Sequence, residues 1–361
     1  MTVRMFCLII LILTFFCGLL SRGMEKNEKK IQSMFFINIA LIILIILPGL
    51  RSNIGDTYVY KAVYSKLGYI KSWNDIMNDK DRGYTVYTLL LYQITSNPQI
   101  MIFVNALLTQ TLYFKFFYKY RSMIELQLYI YIASGYFFIT MNGMRQCLAA
   151  GIILIGTKYL VDKRFVKYTF IIILASFFHQ SALIMIPIYF IANMEPWSKN
   201  TIIIIVLTSL GTLMFFELLP LLEKILQGTQ YENYIQIFED GIEQGANPIR
   251  IIVALIPLIL SYIRKDELRE WKESEIFINM SMVNLVFMIF SLNTWIFARF
   301  TIYFNLYNFV LLPYIIKTWN NRKERQLLYV FLIICYLIFF FREHGLEIIK
   351  TNYSIQRFLY W

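Results

Sequence analysis

Charge is scarce in this chain: Asp, Glu, Lys and Arg together make up 16% of its 361 residues, against about 25% in an ordinary soluble domain. That shortage argues against a soluble enzyme and against a charged disordered scaffold. Histidine is scarcer still, with His179 and His344 the only two, and imidazoles this far apart in sequence do not make a zinc site. The four cysteines, Cys7, Cys17, Cys147 and Cys335, lie in apolar segments without paired spacing, so neither a disulfide framework nor a metal knot is indicated. A serine nucleophile elbow, a Walker loop, a dinucleotide fingerprint and a metalloprotease helix are all missing. No metal and no cofactor is therefore expected. Internal repeats and low-complexity linkers are missing too.

What the chain has in abundance is apolar surface, with 58% hydrophobic and 17% aromatic residues. This composition predicts an all-α, polytopic integral membrane protein, one domain over residues 1–361, with about 10–12 transmembrane helices. Apolar runs fall at Val3–Leu20, Phe35–Leu50, Ile100–Phe117, Leu126–Met141, Cys147–Val161, Tyr168–Ile191, Thr201–Leu219, Ile249–Ile263, Ile276–Leu292, Phe300–Ile316 and Leu327–Phe341. The first reads as a retained helix, since its basic flank holds only Arg4 and no small-residue cleavage site is clear. Several runs are shorter than the roughly 20 residues that cross a bilayer core, which predicts broken or re-entrant helices around a cavity.

The net charge of +11 would suit nucleic acid, but no basic soluble domain is present and the cations crowd short connectors. Positive connectors mark the cytoplasmic side. Arg22, Lys26, Lys29 and Lys30 form one, Lys158, Lys163, Arg164 and Lys167 another, and Arg264–Lys272 and Lys317–Arg325 two more. Three single crossings between Lys167 and Arg264 would put the later connectors outside, against their charge. Something there must cross an even number of times. Either Tyr168–Ile191 is two half-helices meeting near His179, or the chain re-enters near Pro220. In both cases the polar stretches 52–82 and 223–248 become two large extracellular loops, and Arg51, Arg145 and the connector before Arg299 face outward with them.

Each chemistry-bearing residue in these regions has a functional and a structural reading. Arg145 lies between two apolar runs, with Arg51 and Arg299 bordering others. A cation near membrane depth costs roughly 2.5–3.5 kcal/mol on insertion scales and tends to face an anion or a pathway, so the three suit a buried phosphate. In RSNIGDTYVY, Asp56 and Tyr60 beside Arg51 suit a pyrophosphate and sugar hydroxyls; alternatively Arg51 snorkels and Asp56 caps a helix. Asp79-Lys80-Asp81 has the spacing of a metal-holding D-x-D, but such short matches are common and the run reads instead as a solvated, self-neutralising surface, with Arg82 preceding an amphipathic helix. Asn142, Arg145 and Gln146 form a polar cluster where two spans meet. His179 can exchange a proton near neutral pH or simply pack against Ser181.

Taken together, LRSNIGDTYVY, the helix after DRGY, the run from Met141 to Phe190 with its M-R-Q and F-H-Q-S-A-L, and ARFTIYFNLYNFVLLPY resemble the EpsG family of Wzy-like polysaccharide polymerases. One departure is that Gly55 is followed directly by Asp56, where the family often reads G-T-D. The resemblance implies a metal-independent membrane glycosyltransferase that joins undecaprenyl-diphosphate-linked oligosaccharide units at the outer face of a bacterial cytoplasmic membrane. Its partners would be that substrate, membrane lipid, and a flippase and chain-length regulator of the same pathway. It implies Arg51, Arg145 and Arg299 for the diphosphate, His179 or Asp56 for the base, with His179 preferred for proton transfer and Asp56 then holding the acceptor sugar, and Tyr60, Gln146, Asn142 and Arg82 for positioning. A flippase or a polysaccharide ligase would want a similar cationic cavity.

Overall fold

Leucine and isoleucine dominate the first two apolar runs, and in the computed structural model of the protein they form a helical hairpin of α1 (Val3–Lys26) and α2 (Lys30–Gly49). The structure describes residues 3–52, 54–69, 76–77, 79–211, 214, 224 and 245–343. These are helical, without a strand among them, as the composition predicts for a polytopic membrane protein. At about 1.5 Å per residue, some 20 residues span the roughly 30 Å hydrocarbon core. Among the described residues, five helices are long and apolar enough: Leu8–Lys26, Lys30–Gly49, Pro98–Lys119, Met144–Val161 and Arg322–Glu343.

The chain divides into two compact units. The first holds residues 1–157, 170–183 and 319–361. After the hairpin come α3 (Thr57–Ser65), a 3-10 turn at Leu67–Tyr69, α4 (Arg82–Ile94) and α5 (Pro98–Lys119). Asn97 starts α5 by accepting from the Gln99 N–H, with Pro98 in the first turn, where its missing donor costs nothing. Next are α6 (Ile124–Ala133) and α7 (Tyr136–Asn142), which together make one apolar path bent by 55° at Ser134-Gly135. The helix α8 (Met144–Val161) follows, and α15 (Arg322–Glu343) packs on α6.

Ion pairs and amide bonds fix the two ends of this unit. Arg22 pairs with buried Glu125 at 2.8 Å and Arg121 with Glu25 at 2.6 Å, so the end of α1, the end of α5 and the start of α6 share one end, the basic one. At the other, Gln99 donates to the Gly49 carbonyl at 2.6 Å, and the Asp56 N–H donates to Asn142 Oδ1 at 3.2 Å. Asp56, Arg145 and the start of α5 therefore lie opposite the basic connectors of this unit.

The second unit holds residues 158–169 and 184–318. It contains α10 (Met185–Ala192), α11 (Lys199–Gly211), α12 (Ile249–Ile263), α13 (Ser274–Phe290) and α14 (Ile296–Lys317). The helix leading into the intervening excursion is α9 (Phe165–Ser176). The Phe165 and Tyr189 ring centroids lie 5.0 Å apart, and those of Tyr168 and Tyr189 5.6 Å. Near its start α9 thus touches α10, so the chain doubles back between them, with His179 in the reversal. A reversal near His179 is one of the two arrangements that connector charge allows. The same unit brings Lys272 within 3.7 Å of Asp162, and Arg264 donates to the Thr318 carbonyl at 2.6 Å. Three basic connectors, around Asp162, Arg264–Lys272 and Thr318, share one end. The stretch around Pro220 and most of the loop at 223–248 lie outside the described residues.

Candidate functional site

Asp81 occupies the N-cap position of α4, yet its carboxylate makes no cap bond and is buried. A buried carboxylate needs donors, and they come from two other segments. Oδ2 takes His179 Nδ1 and Arg145 Nη1, each at 3.2 Å, and Oδ1 takes the Gln180 backbone N–H at 3.1 Å. Burial pushes the Asp81 carboxyl up, but the hydrogen bond and charge of His179, the Arg145 guanidinium and the Gln180 N–H outweigh it and hold the carboxyl below its ordinary value. An ionised carboxylate only accepts, so His179 donates from Nδ1, and in the neutral form of the ring Nε2 is then the lone-pair acceptor.

The geometry that delivers His179 is local. After α9 the Phe178 and His179 N–H groups both bond the Ala175 carbonyl, and Phe177 turns its own carbonyl toward α4. Gly83 and Tyr84 donate to that carbonyl at 2.8 and 3.3 Å, satisfying first-turn donors of α4 that Asp81 does not cap. Only glycine permits this approach, because a Cβ on Gly83 would stand 2.7 Å from Phe177 Cβ. The side-chain oxygen of Gln180 is buried and has no hydrogen-bond partner among the described residues, so the site holds an acceptor that the protein does not satisfy.

Arg145 lies in the first turn of α8, where the helix dipole is already positive. Asp81 offsets part of that potential, and the Tyr84 ring lies under the guanidinium with 5.1 Å from Cζ to the centroid. Beyond it opens a cavity of about 210 Å3, lined by Arg145, Tyr60, Tyr84, Asp79, Leu67 and Met101 among others. Burial pushes the Tyr60 phenol up, against the pull of Arg145, so it stays a neutral O–H donor. The EpsG family model matches residues 34–346, a span containing every one of these groups. The chain belongs to the EpsG family. Membership ties it to exopolysaccharide-related polymerases. No curated protein and no solved structure matches it.

The other sequence-predicted residues of this EpsG-family protein fall into three groups. Arg51, expected on a diphosphate, is buried, and its fork is given to internal acceptors: Thr57 Oγ1 at 2.7 Å, the Pro48 carbonyl at 2.5 Å, the Met141 carbonyl at 3.2 Å and Met144 Sδ at 2.9 Å. It fastens the end of α2 to the start of α3 and to the α7–α8 junction. Asp56, Asn142 and Arg82 are exposed, and Asp56 is joined to Asn142 through its backbone N–H. Gly55, at φ +56°, makes that junction possible, since a Cβ there would overlap Asn142 Oδ1. Gln146 is buried one residue beyond Arg145. Arg299 belongs to the second unit, where its guanidinium lies 5.1 Å from the Trp295 ring.

Two site residues escaped the sequence reading. Asp81 was read with Asp79 and Lys80 as a solvated run, and the structure corrects this: Lys80 is exposed, while Asp81 is inside. Its signal was D-R-G-Y, an aspartate two residues before a glycine at a helix start. Gln180, beside His179, carried no separate signal.

Proposed function

We propose that this protein is a membrane glycosyltransferase that polymerises lipid-diphosphate-linked oligosaccharide repeat units at the outer face of a bacterial cytoplasmic membrane. The observation that carries the reading is the Asp81 carboxylate shared by Arg145 and His179. It joins a cation that can meet a departing diphosphate to an imidazole whose neutral form, donating from Nδ1, presents a lone pair on Nε2. In the reaction, the acceptor sugar hydroxyl gives its proton to Nε2 as its oxygen bonds the anomeric carbon of the donor. The bond from that carbon to the lipid diphosphate breaks, and the diphosphate leaves with the electron pair. Arg145 meets the charge on the leaving group, and Asp81 stabilises the imidazolium. Diphosphate is a good leaving group once neutralised, so the step asks for no metal. In this reading Asp56, exposed at the same end of the unit, holds the acceptor sugar.

The outer face is supported by the site's place in the first unit, opposite Arg22, Arg121 and the basic turn at Lys26–Lys30. The test is polymer formation by purified protein from lipid-linked repeat units. His179→Gln keeps polar bulk but removes the titratable nitrogen, and turnover should fall by about 10²–10⁴-fold with substrate binding kept. A near wild-type rate would return His179 to a packing role. A deletion strain separates the rivals: single lipid-linked units accumulating outside support the polymerase, retention inside indicates a flippase, and lipid-linked polymer a ligase.

A further inference from the structure

The second unit carries two cavities that adjoin along α13. One, of about 310 Å3, opens between residues 195–198, which join α10 to α11, and residues 265–278, which lead from α12 into α13. The other, of about 140 Å3, is apolar and is lined from the same two sides, by Ile191 and Met194 on one and by Met282, Val283 and Val286 on the other. Met194 and Glu195 are neighbours in the chain, and Ile278, Met282 and Val286 recur every fourth residue on one face of α13. The apolar cavity therefore continues the polar one along the helix. Buried Asn279 donates to the Ala192 and Met194 carbonyls at 3.1 and 2.7 Å, fixing α13 to the end of α10 at that junction. The polar cavity belongs to the basic end of the unit, where Lys272 approaches Asp162, and positive connectors place that end in the cytoplasm. Its aromatic neighbours fit the same depth: the Trp197 and Tyr262 rings meet edge to face at 5.1 Å, as in an interfacial belt.

The polar lining carries both signs of charge. Lys265, Arg269 and Lys272 are exposed cations, and Glu195 and Glu275 exposed carboxylates. Over residues 264–275 acids outnumber bases five to four, so a purely anionic ligand gains little there. The cations are loosely engaged: Arg269 and Lys272 stand 3.7 Å from Asp266 and Asp162, and Lys265 has only the Tyr262 ring, 5.3 Å away. Glu195 and Glu275 make no ion pair among the described residues. Trp197 adds a buried Nε1–H without a partner among those residues, on a backbone at φ +65°. That conformation is rare for a bulky side chain and is kept where the surroundings fix it, often at ligand clamps. A ligand that answers all of these groups has an anion, a cationic donor beside it and an apolar tail. We propose that the two cavities seat a phosphatidylethanolamine of the cytoplasmic leaflet, with its phosphate on Lys265 and Arg269, its ammonium on Glu195 and Glu275, and one acyl chain along Ile278, Met282 and Val286. Seated there, the lipid ties the α10–α11 turn to the start of α13. The proposal is independent of the polymerase reading.

Native mass spectrometry of the purified full-length protein in detergent micelles reads the bound lipid directly. Phosphatidylethanolamine, phosphatidylglycerol and phosphatidylcholine are added singly, with identical acyl chains. Phosphatidylethanolamine is expected to bind about tenfold more tightly than either, the worth of about one charge-assisted hydrogen bond, because a choline head has no N–H to give and a glycerol head no positive charge. Glu195→Gln combined with Glu275→Gln should erase the preference over phosphatidylcholine. Both positions are exposed, so the lipid-free unfolding temperature should match the wild type. Lys265→Gln combined with Arg269→Gln should weaken all three lipids severalfold. Soluble glycerophosphoethanolamine, which has the head without the chains, should fail to displace the lipid. Equal binding of the three lipids, or a preference kept in full by the double glutamate variant, would overturn the proposal. Tighter binding of phosphatidylglycerol would overturn it in favour of an anionic lipid, and displacement by glycerophosphoethanolamine in favour of a soluble phosphoester.

Discussion

Arg51 and Arg145 are the same residue type at the same end of one unit, and both border apolar helices, but the surroundings use them differently. The Arg51 side chain is 1% exposed and gives its fork to two carbonyls, a hydroxyl and a thioether within the fold. The Arg145 side chain is 28% exposed, shares one carboxylate with a histidine, stacks on a tyrosine and lines a cavity. A cation near membrane depth must be compensated. Compensation by neutral acceptors inside the fold produces a fastener, whereas compensation by a single carboxylate beside open space leaves charge and donors for a ligand.

The sharpest break of this comparison is to remove each guanidinium in turn. Arg51→Met should strand buried acceptors at about 1–3 kcal/mol apiece, seen as a large fall in membrane yield and in thermal unfolding temperature. Arg145→Ala should leave the protein folded and abolish polymer formation. Arg145→Lys should impair it strongly, because an ammonium lacks the two-pronged match to phosphate oxygens. A stable but inactive Arg51→Met together with an active Arg145→Ala would reverse the two assignments.

A smaller effect is expected at the joint that presents His179. Gly83→Ala forces a methyl against Phe177, and overpacking of this kind costs about 1–3 kcal/mol. The strain falls on the contact holding α4 to the His179 turn, so turnover should drop more than the unfolding temperature does. Equal losses in the two measurements would make the joint purely structural.

The smallest effect is on acid stability. The Asp81 carboxyl is held below its unfolded value, near 4. Its contribution is present above that pH and is lost as pH falls through the lower folded value. Unfolding temperatures of the wild type should therefore decline below about pH 4. Asp81→Asn, which cannot titrate, should be less stable at neutral pH and should lose less on acidification. An unchanged acid profile in Asp81→Asn would show that the carboxylate is not coupled to folding.

Much of this arrangement was legible in the sequence. Connector charge called for an even number of crossings between Lys167 and Arg264, by a reversal near His179 or near Pro220, and the contacts of Phe165 and Tyr168 with Tyr189 show the chain reversing near His179. The bend between α6 and α7 was missed because Leu126–Met141 is mostly apolar and read as one run, although Ser134-Gly135, with Gly135 at φ +80°, marked it. The difference between Arg51 and Arg145 could not be read. Arg51 is satisfied partly by a backbone carbonyl 90 residues away, and carbonyl acceptors leave no trace in residue identity. Asp81 was hidden for the converse reason, since a carboxylate inside a charged run looks solvated until its distant partners are placed.

Asp81 and His179 are 98 residues apart in the chain, and that distance has a meaning in time. At a synthesis rate of about 5–20 residues per second, the carboxylate emerges roughly 5–20 s before the imidazole that completes its site. During that interval the first loop already carries its acid, but nothing from the His179 turn has arrived to meet it. The site therefore closes as a late event of biogenesis, when the turn carrying His179 reaches α4. A nascent chain stalled before that turn would hold Arg145 and the cavity without the His179 imidazole.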